Sequence, residues 1–269
     1  MFIHNINPVL LTLGPFEIRY YGLVYILGFL AAYFLLRDSV KKGRLKISME
    51  SLDEYLVMLI VGVIVGARIF EVIFFSPGYY IANPWEIVMI WKGGLSFHGG
   101  LVGAILMTRI FSKKHKIHFY DLADILVIPA ALALAFGRIA NFINGEHYGR
   151  IADAARTPWC VVFSKVDGYC RHPSQLYESL KNFVIFGFLL LFRNIHERRK
   201  KHLKSGTLFW TFVLLYGILR FIVNFYRDDA VLLWISMGQF LSLLMVIVAA
   251  ISLIRINSSS LSKSSRNRS

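Results

Sequence analysis

DEYLVMLIVGVIVGARIFEVIFF, residues 53–75, decides the fold. Past its acidic start the stretch is apolar for the length that a helix needs to cross a bilayer, about 20 residues. Only Arg68 and Glu71 interrupt it. Similar runs lie near 17–37, 93–112, 119–142, 174–193, 206–226 and 234–255. The 269-residue chain is 56% hydrophobic and 17% charged, with a mean hydropathy of +0.56. Soluble domains are about 45–50% apolar and about 25% charged. The reading is an all-α integral membrane protein with about seven transmembrane helices.

The charge pattern orients those helices. Lys and Arg number 30 against 16 Asp and Glu. A basic excess can mark nucleic-acid binding, but here the charges fall in separate clusters between apolar runs, so no nucleic acid is expected and the bilayer with its anionic lipid is. Arg37, Lys41, Lys42, Arg44 and Lys46 follow the first run; Arg109, Lys113, Lys114 and Lys116 follow the third. Arg193, Arg198, Arg199, Lys200, Lys201 and Lys204 follow the fifth, and Arg255, Lys263, Arg266 and Arg268 stand at the C-terminus. The alternate loops are poor in Lys and Arg: Pro77–Trp91 carries only Glu86, and Arg227 is offset by Asp228 and Asp229. Positive loops remain cytoplasmic, so the C-terminus is expected inside and the N-terminus outside. No basic region precedes the first apolar run, and the first helix is expected to serve as its own insertion signal.

The membrane domain is expected over 1–256, followed by a disordered tail, NSSSLSKSSRNRS, over 257–269. The longest polar stretch, about 143–173, falls on the outer side and is large enough for a small cap. It carries both cysteines, Cys160 and Cys170. They can form one bridge in an oxidising compartment or remain free thiols, and the sequence leaves both open.

Charges inside spans cost about 2.5–3.5 kcal/mol each near mid-helix, which makes Arg68, Glu71, Asp124, Arg138, Glu178, Lys181 and Arg220 the residues to explain. Arg68 and Glu71 are spaced to pair on one helix face, behind a Gly62/Gly66 GxxxG that allows close helix contact. WKGGLSFHGGLVG (91–103) sets His98 among glycines, where another group can approach closely. GRIANFINGEHYG (137–149) places Arg138 and Asn141 one turn apart, with Glu146 beyond a helix end at Asn144–Gly145. RHPSQLYE (171–178) opens the fifth span with His172 as a titratable candidate and puts Glu178 about one turn inside. Tyr216, Arg220, Asn224 and Arg227 form one polar stripe along the sixth span. Two arginines there without an obvious acidic partner favour an anionic ligand.

Taken together, YYG (20–22), SFHGGLVG (96–103), GRIANFINGEHYG, RHPSQLYE, LYGILR (215–220) and ISMGQ (235–239) resemble the prolipoprotein diacylglyceryl transferase family of bacterial membrane enzymes. The motifs occur in the family's order, and the second long one matches its signature nearly end to end. The resemblance implies transfer of the diacylglyceryl group of phosphatidylglycerol to the lipobox cysteine thiol of a prolipoprotein signal peptide. A thioether forms and glycerol phosphate leaves. It also implies the bacterial inner membrane, with the site toward the periplasm. The family's important positions fall on Tyr21, His98, Arg138, Asn141, Glu146, Gly149, Tyr216 and Arg220. One position departs: the family often has Glu four residues after the second arginine, where this chain has Asn224.

The chemistry distributes roles among these residues. A thiol has a pKa near 8.5 and attacks as thiolate, so His98 is expected to take its proton or to orient the glycerol. The leaving phosphate gains charge, and guanidinium groups clamp phosphate with paired hydrogen bonds; Arg138 and Arg220 are expected there. Asn141 and Glu146 are expected to hold the arginines and the signature loop, and Tyr21 and Tyr216 to donate hydrogen bonds to the head group. No metal-ligand spacing of the HExxH kind is present, and no cofactor is expected. A lipid flippase or transporter also fits intramembrane arginines and glycine-broken helices, although no internal repeat supports it. A non-enzymatic scaffold would tolerate substitution of Arg138, His98 and Arg220.

Overall fold

The computed structural model describes residues 2–14, 16–199, 203–229, 231–232 and 235–266. Lys200, Lys201 and Arg268 of the basic clusters lie outside the described residues. The chain is mostly helical. Its helices are α1 (Tyr20–Lys41), α2 (Met49–Phe70), α3 (Pro77–Ala82), α4 (Phe97–Lys114), α5 (Phe119–Asn144), α6 (Ser174–Arg198), α7 (Thr207–Val223) and α8 (Met237–Arg266). A π-helical turn, Glu71–Phe75, prolongs α2, and a 3-10 turn, Asn224–Tyr226, prolongs α7.

Among the described residues, six helices are long and apolar enough to cross a membrane. They correspond to the expected spans except the third. That helix, α4, has 18 residues and carries Arg109, Lys113 and Lys114 in its second half. At about 1.5 Å per residue it is about 27 Å long, and its charged end leaves little apolar length. The helix α8 runs to Arg266, past residue 256 where the sequence reading ends the membrane domain.

Short strands, which hydropathy did not anticipate, add to the helices. β1 (Phe2–His4) pairs in parallel with β4 (Val161–Phe163), which pairs antiparallel with β5 (Cys170–Arg171). β2 (Val9–Leu13) and β3 (Phe16–Arg19) form a hairpin, as do β6 (Val231–Leu232) and β7 (Ile235–Ser236). Cys160 and Cys170 form a disulfide, with their Cα atoms 5.5 Å apart. It clips β4 to β5 inside the stretch expected to form the cap.

Two compact units emerge, one of residues 1–32 and 126–269, the other of residues 33–125. In the second unit α2 packs on α4 through paired glycines. A Cβ at Gly66 would lie 2.4 Å from the Gly99 carbonyl oxygen, and one at Gly103 would lie 2.0 Å from that of Gly62. The two GxxxG faces therefore meet backbone to backbone, the close approach that small residues permit. Tyr55 Oη and Thr108 Oγ1 add a buried hydrogen bond of 2.8 Å across the same contact.

The expected Arg68–Glu71 pair does not form. Arg68 donates instead to the carbonyls of Ile87 (2.8 Å), Gly93 (2.6 Å), Gly94 (2.8 Å) and Glu86, while Glu71 accepts from Ser76 Oγ at 3.0 Å. A guanidinium has five donors in a fork, and the turns after α3 present a ring of carbonyls that one carboxylate cannot match.

In the first unit α6 packs on α7 and α7 on α8. Gly217 lets α7 approach α8: its Cβ would lie 3.0 Å from the Ser242 carbonyl oxygen. Ser179 Oγ of α6 donates to the Ala135 carbonyl of α5 at 2.9 Å. The C-terminal end of α5, the N-terminal end of α6 and the C-terminal end of α7 thereby come together, and Arg138, Asn141, Glu178 and Arg220 lie near those ends.

Candidate active site

The centre of the first unit is Glu178, in the second turn of α6 and fully buried. Its Oε2 accepts from Lys181 Nζ at 2.8 Å, and its Oε1 pairs with Arg220 of α7. Arg138 of α5 stands 3.9 Å from Oε2 through its Nε. Three helices thus place three cations on one carboxylate, which leaves this core with a net charge of +2. The Lys181 ammonium also lies over the Tyr216 ring, 3.7 Å from its centroid. Such a contact is favourable and strongest where water is absent.

Beyond the helix ends the charge network continues. Asp229 Oδ2 lies 3.6 Å from Arg220 and 3.2 Å from Arg227 Nε, and accepts from Asn224 Nδ2 at 3.1 Å. Burial pushes the Asp229 carboxyl up, but the hydrogen bond from Arg227, the charges of Arg227 and Arg220, and the Asn224 amide together hold it below the usual carboxylate range. The arginines of the α7 stripe therefore do have acidic partners. They come from α6 and from the turn after α7, which a reading along one helix does not see. Asn224 fits the same frame. It is buried, donates to Ser236 Oγ at 2.5 Å as well as to Asp229, and so braces a carboxylate rather than supplying one.

The signature loop leaves α5 through Gly145 and His147, both with positive φ (+71° and +55°). Gly149 is fixed by contact. Its N–H donates to the His172 carbonyl at 2.9 Å, and a Cβ there would lie 2.4 Å from the Tyr226 carbonyl oxygen and 2.6 Å from that of His172. Gln175 Nε2 donates to the Glu146 carbonyl at 2.6 Å and Ser174 Oγ to the His147 carbonyl at 2.9 Å. RHPSQLYE is thus the cradle of the signature loop. His147 is held below the ordinary histidine range by burial first and then by the charges of Arg138 and Arg227, which places the loop within the field of the cation cluster. His172 is lowered by burial. Its ring packs edge-on to Tyr226 and its Nδ1 lies 3.2 Å from Tyr177 Oη, a packed position that suits a structural part.

Of the expected site residues, Arg138, Asn141, Tyr216 and Arg220 come together around Glu178. Asn141 Oδ1 accepts from Arg138 at 3.4 Å. Glu146 does not hold an arginine: its carboxylate accepts from Asn144 Nδ2, and its backbone is what the cradle binds. Tyr21 stands half-buried in the first turn of α1. His98 belongs to the second unit, in the first turn of α4, where its ring lies edge-on to Phe97 with centroids 5.9 Å apart. The expectation missed Glu178 and Lys181 as site members, although both were conspicuous as charges inside a span. Their i,i+3 spacing was the available signal. Among the described residues no group of three or more His, Cys, Asp or Glu is placed to hold a metal.

A buried carboxylate holding two arginines and a lysine, with positive charge to spare, can bind a phosphate and stabilise added negative charge on it. Comparison with known proteins points the same way. A family model described as prolipoprotein diacylglyceryl transferase matches residues 8–255. The phosphatidylglycerol–prolipoprotein diacylglyceryl transferase of Geobacter sulfurreducens is 40% identical over 243 residues, spanning 88% of this chain and 90% of the relative. The protein of the same name from Bordetella parapertussis is 39% identical over 254 residues (91% and 94%). That from Rickettsia bellii is 35% identical over 268 residues (96% and 98%).

Proposed function

The chain belongs to the prolipoprotein diacylglyceryl transferase family, and on that premise we propose that the cation cluster around Glu178 is where its phospholipid substrate reacts. The enzyme transfers the diacylglyceryl group from phosphatidylglycerol to a prolipoprotein. The acceptor is the lipobox cysteine of a signal peptide. Its thiolate sulfur attacks the glycerol carbon that bears the phosphate, the C–O bond breaks, and the electron pair leaves on the phosphate oxygen. The thioether product is neutral at sulfur, the thiol proton is released, and glycerol phosphate departs with about one more negative charge than the lipid phosphodiester had.

Each residue takes a part in that step. Arg138 and Arg220 bind the phosphate and stabilise its growing charge, because their guanidiniums remain protonated and bond in pairs. Asn141 orients Arg138. Gly149 and the Glu146 backbone fix the signature loop over the helix ends. Tyr216 and Tyr21 donate hydrogen bonds to the head group. The observation that carries the assignment is the +2 charge of the Glu178 cluster. A binding site for a fixed anion would work with less positive charge. Surplus charge favours the state in which the leaving group has gained its second one.

The protein spans the inner membrane of a bacterium, with the cluster near the periplasmic face. The alternating basic loops support this, and so does the Cys160–Cys170 disulfide in the cap, since disulfides persist in oxidising compartments. The test mixes purified protein in detergent with phosphatidylglycerol and a lipobox peptide, and reads the peptide mass. A diacylglyceryl adduct on the cysteine peptide, and none on its Cys→Ser counterpart, is expected. Intact lipid and unmodified peptide with folded enzyme would return the case to lipid transport.

A further inference from the structure

We propose that Lys181 is a positioning residue of the phosphate site: it occupies Glu178 so that Arg138 stays available to the substrate, and it sets the site charge at +2. The inference rests on the reading of Arg138 and Arg220 as the phosphate site.

The geometry divides the labour. Glu178 gives Oε1 to Arg220, while Oε2 is held by Lys181 at 2.8 Å and approached by Arg138 only at 3.9 Å. An ammonium bonded to an oxygen leaves that oxygen a weaker acceptor, so Arg138 is held loosely. Exposure follows the same order: the Lys181 side chain is 2% exposed and that of Arg138 is 22%. Lys181 is fixed inward between Glu178 and the Tyr216 ring, and Arg138 keeps donors for an incoming phosphate. Packing alone does not require the ion pair here, since apolar residues of similar volume in place of both partners are often no less stable.

Charge arithmetic makes the proposal testable. Lys181→Met lowers the cluster from +2 to +1 and frees Glu178 Oε2 to capture Arg138. The site then suits the singly charged lipid better than the doubly charged glycerol phosphate. In the double variant Lys181→Met/Glu178→Gln, the two arginines remain without a carboxylate and the charge returns to +2. Phosphatidylglycerol, a lipobox peptide and added glycerol 1-phosphate are the probes, with kcat, KM and product inhibition read separately. For Lys181→Met, inhibition by glycerol 1-phosphate weakens by about tenfold or more, the loss of one hydrogen bond or contact to a charged group. KM for the lipid rises less, and kcat falls. Lys181→Arg restores both, and the double variant regains affinity for glycerol 1-phosphate relative to Lys181→Met. A bridge that merely joins residues of one helix would leave product inhibition unmoved.

If Lys181→Met does not accumulate, Lys181→Gln, which drops the charge but keeps a hydrogen bond to Glu178, carries the same comparison. Unchanged kinetics in a folded charge-free variant, or no regain in the double variant, overturns the proposal. Arg138→Lys is run in the same series. Its retaining near-normal activity would refute the phosphate site itself, whereas its loss beside an unaffected Lys181→Met would refute only the part given to Lys181.

Discussion

Glu178→Gln is the perturbation with the most to say about how the site is built. The carboxylate is fully buried, and its side chain meets Arg138, Lys181 and Arg220. The amide keeps the shape but removes the charge, and turns an N–H₂ toward cations that can only donate. Three buried cations would then share no carboxylate, and the core charge would rise from +2 to +3. Breaking a buried ion pair from one side costs about 3–5 kcal/mol. For a chain of this size, that corresponds to a fall in melting temperature of between about 6 and 20 °C. Thermal unfolding in detergent, followed by intrinsic fluorescence or by loss of monodisperse protein, measures it. Glu54→Gln is the contrasting control. That residue pairs with Lys114 (2.5 Å) and His115 (3.1 Å) on the surface of the second unit, where screening by water makes such pairs weak, and little change is expected. Activity in Glu178→Gln should fall with stability, because Arg220 loses its anchor. A variant that melts with the wild type and turns over normally would show that Glu178 does not organise the cluster.

Other consequences follow from separate parts of the molecule. Gly66→Leu or Gly103→Leu drives a side chain into the facing backbone, should separate α2 from α4 at a cost of at least about 1–3 kcal/mol, and is checked by yield and melting in detergent. The paired variant Cys160→Ser/Cys170→Ser opens a loop with a sequence separation of 10, which costs about 2–3 kcal/mol by loop entropy. In intact cells the wild-type thiols should become reactive only after a membrane-impermeant reductant, and ready labelling from inside would reverse the assigned topology. The Asp229 carboxyl lies below its usual value, so its contribution to stability is present above 3.8 and is lost as pH falls through the lower folded value. Asp229→Asn should therefore lower kcat/KM by loosening Arg220 and Arg227 without changing the shape of the pH–rate profile between about pH 5 and 9; a new inflection there would contradict this.

What the sequence showed and what it hid follow from the range of the interactions involved. Apolar runs are local, so seven helices were placed in order, and α6 starts at Ser174, the residue where hydropathy put it. It ends five residues later than the apolar run, because residues 194–198 continue the backbone hydrogen-bond ladder although all but Ile195 are polar. Glycine spacing was legible as a close approach, but not which helices met. Only the structure sets Gly62 and Gly66 against Gly99 and Gly103. Arg138 and Arg220 stood out because a charge in an apolar run is conspicuous by itself. Their pairing did not, since Glu178 reaches both from a helix about 40 residues away in sequence and Asp229 reaches Arg220 from beyond the end of α7. Arg68 misled for the same reason: its nearest acid in sequence was Glu71, and its real partners are carbonyls about 18 to 26 residues on. The β1–β4 pairing, which joins residues 2–4 to 161–163, left no trace in hydropathy.

The most direct measurement compares kcat/KM for phosphatidylglycerol and a lipobox peptide between wild type, Arg138→Lys and Arg220→Lys, each shown to be folded by its melting profile. Lysine keeps the charge but cannot clamp phosphate with two parallel hydrogen bonds. A fall of about a hundredfold or more in both variants, with melting unchanged, is the expected result, in the range lost when a group that stabilises developing charge is removed. Near-normal turnover in either would contradict the assignment of the leaving phosphate to the Glu178 cluster.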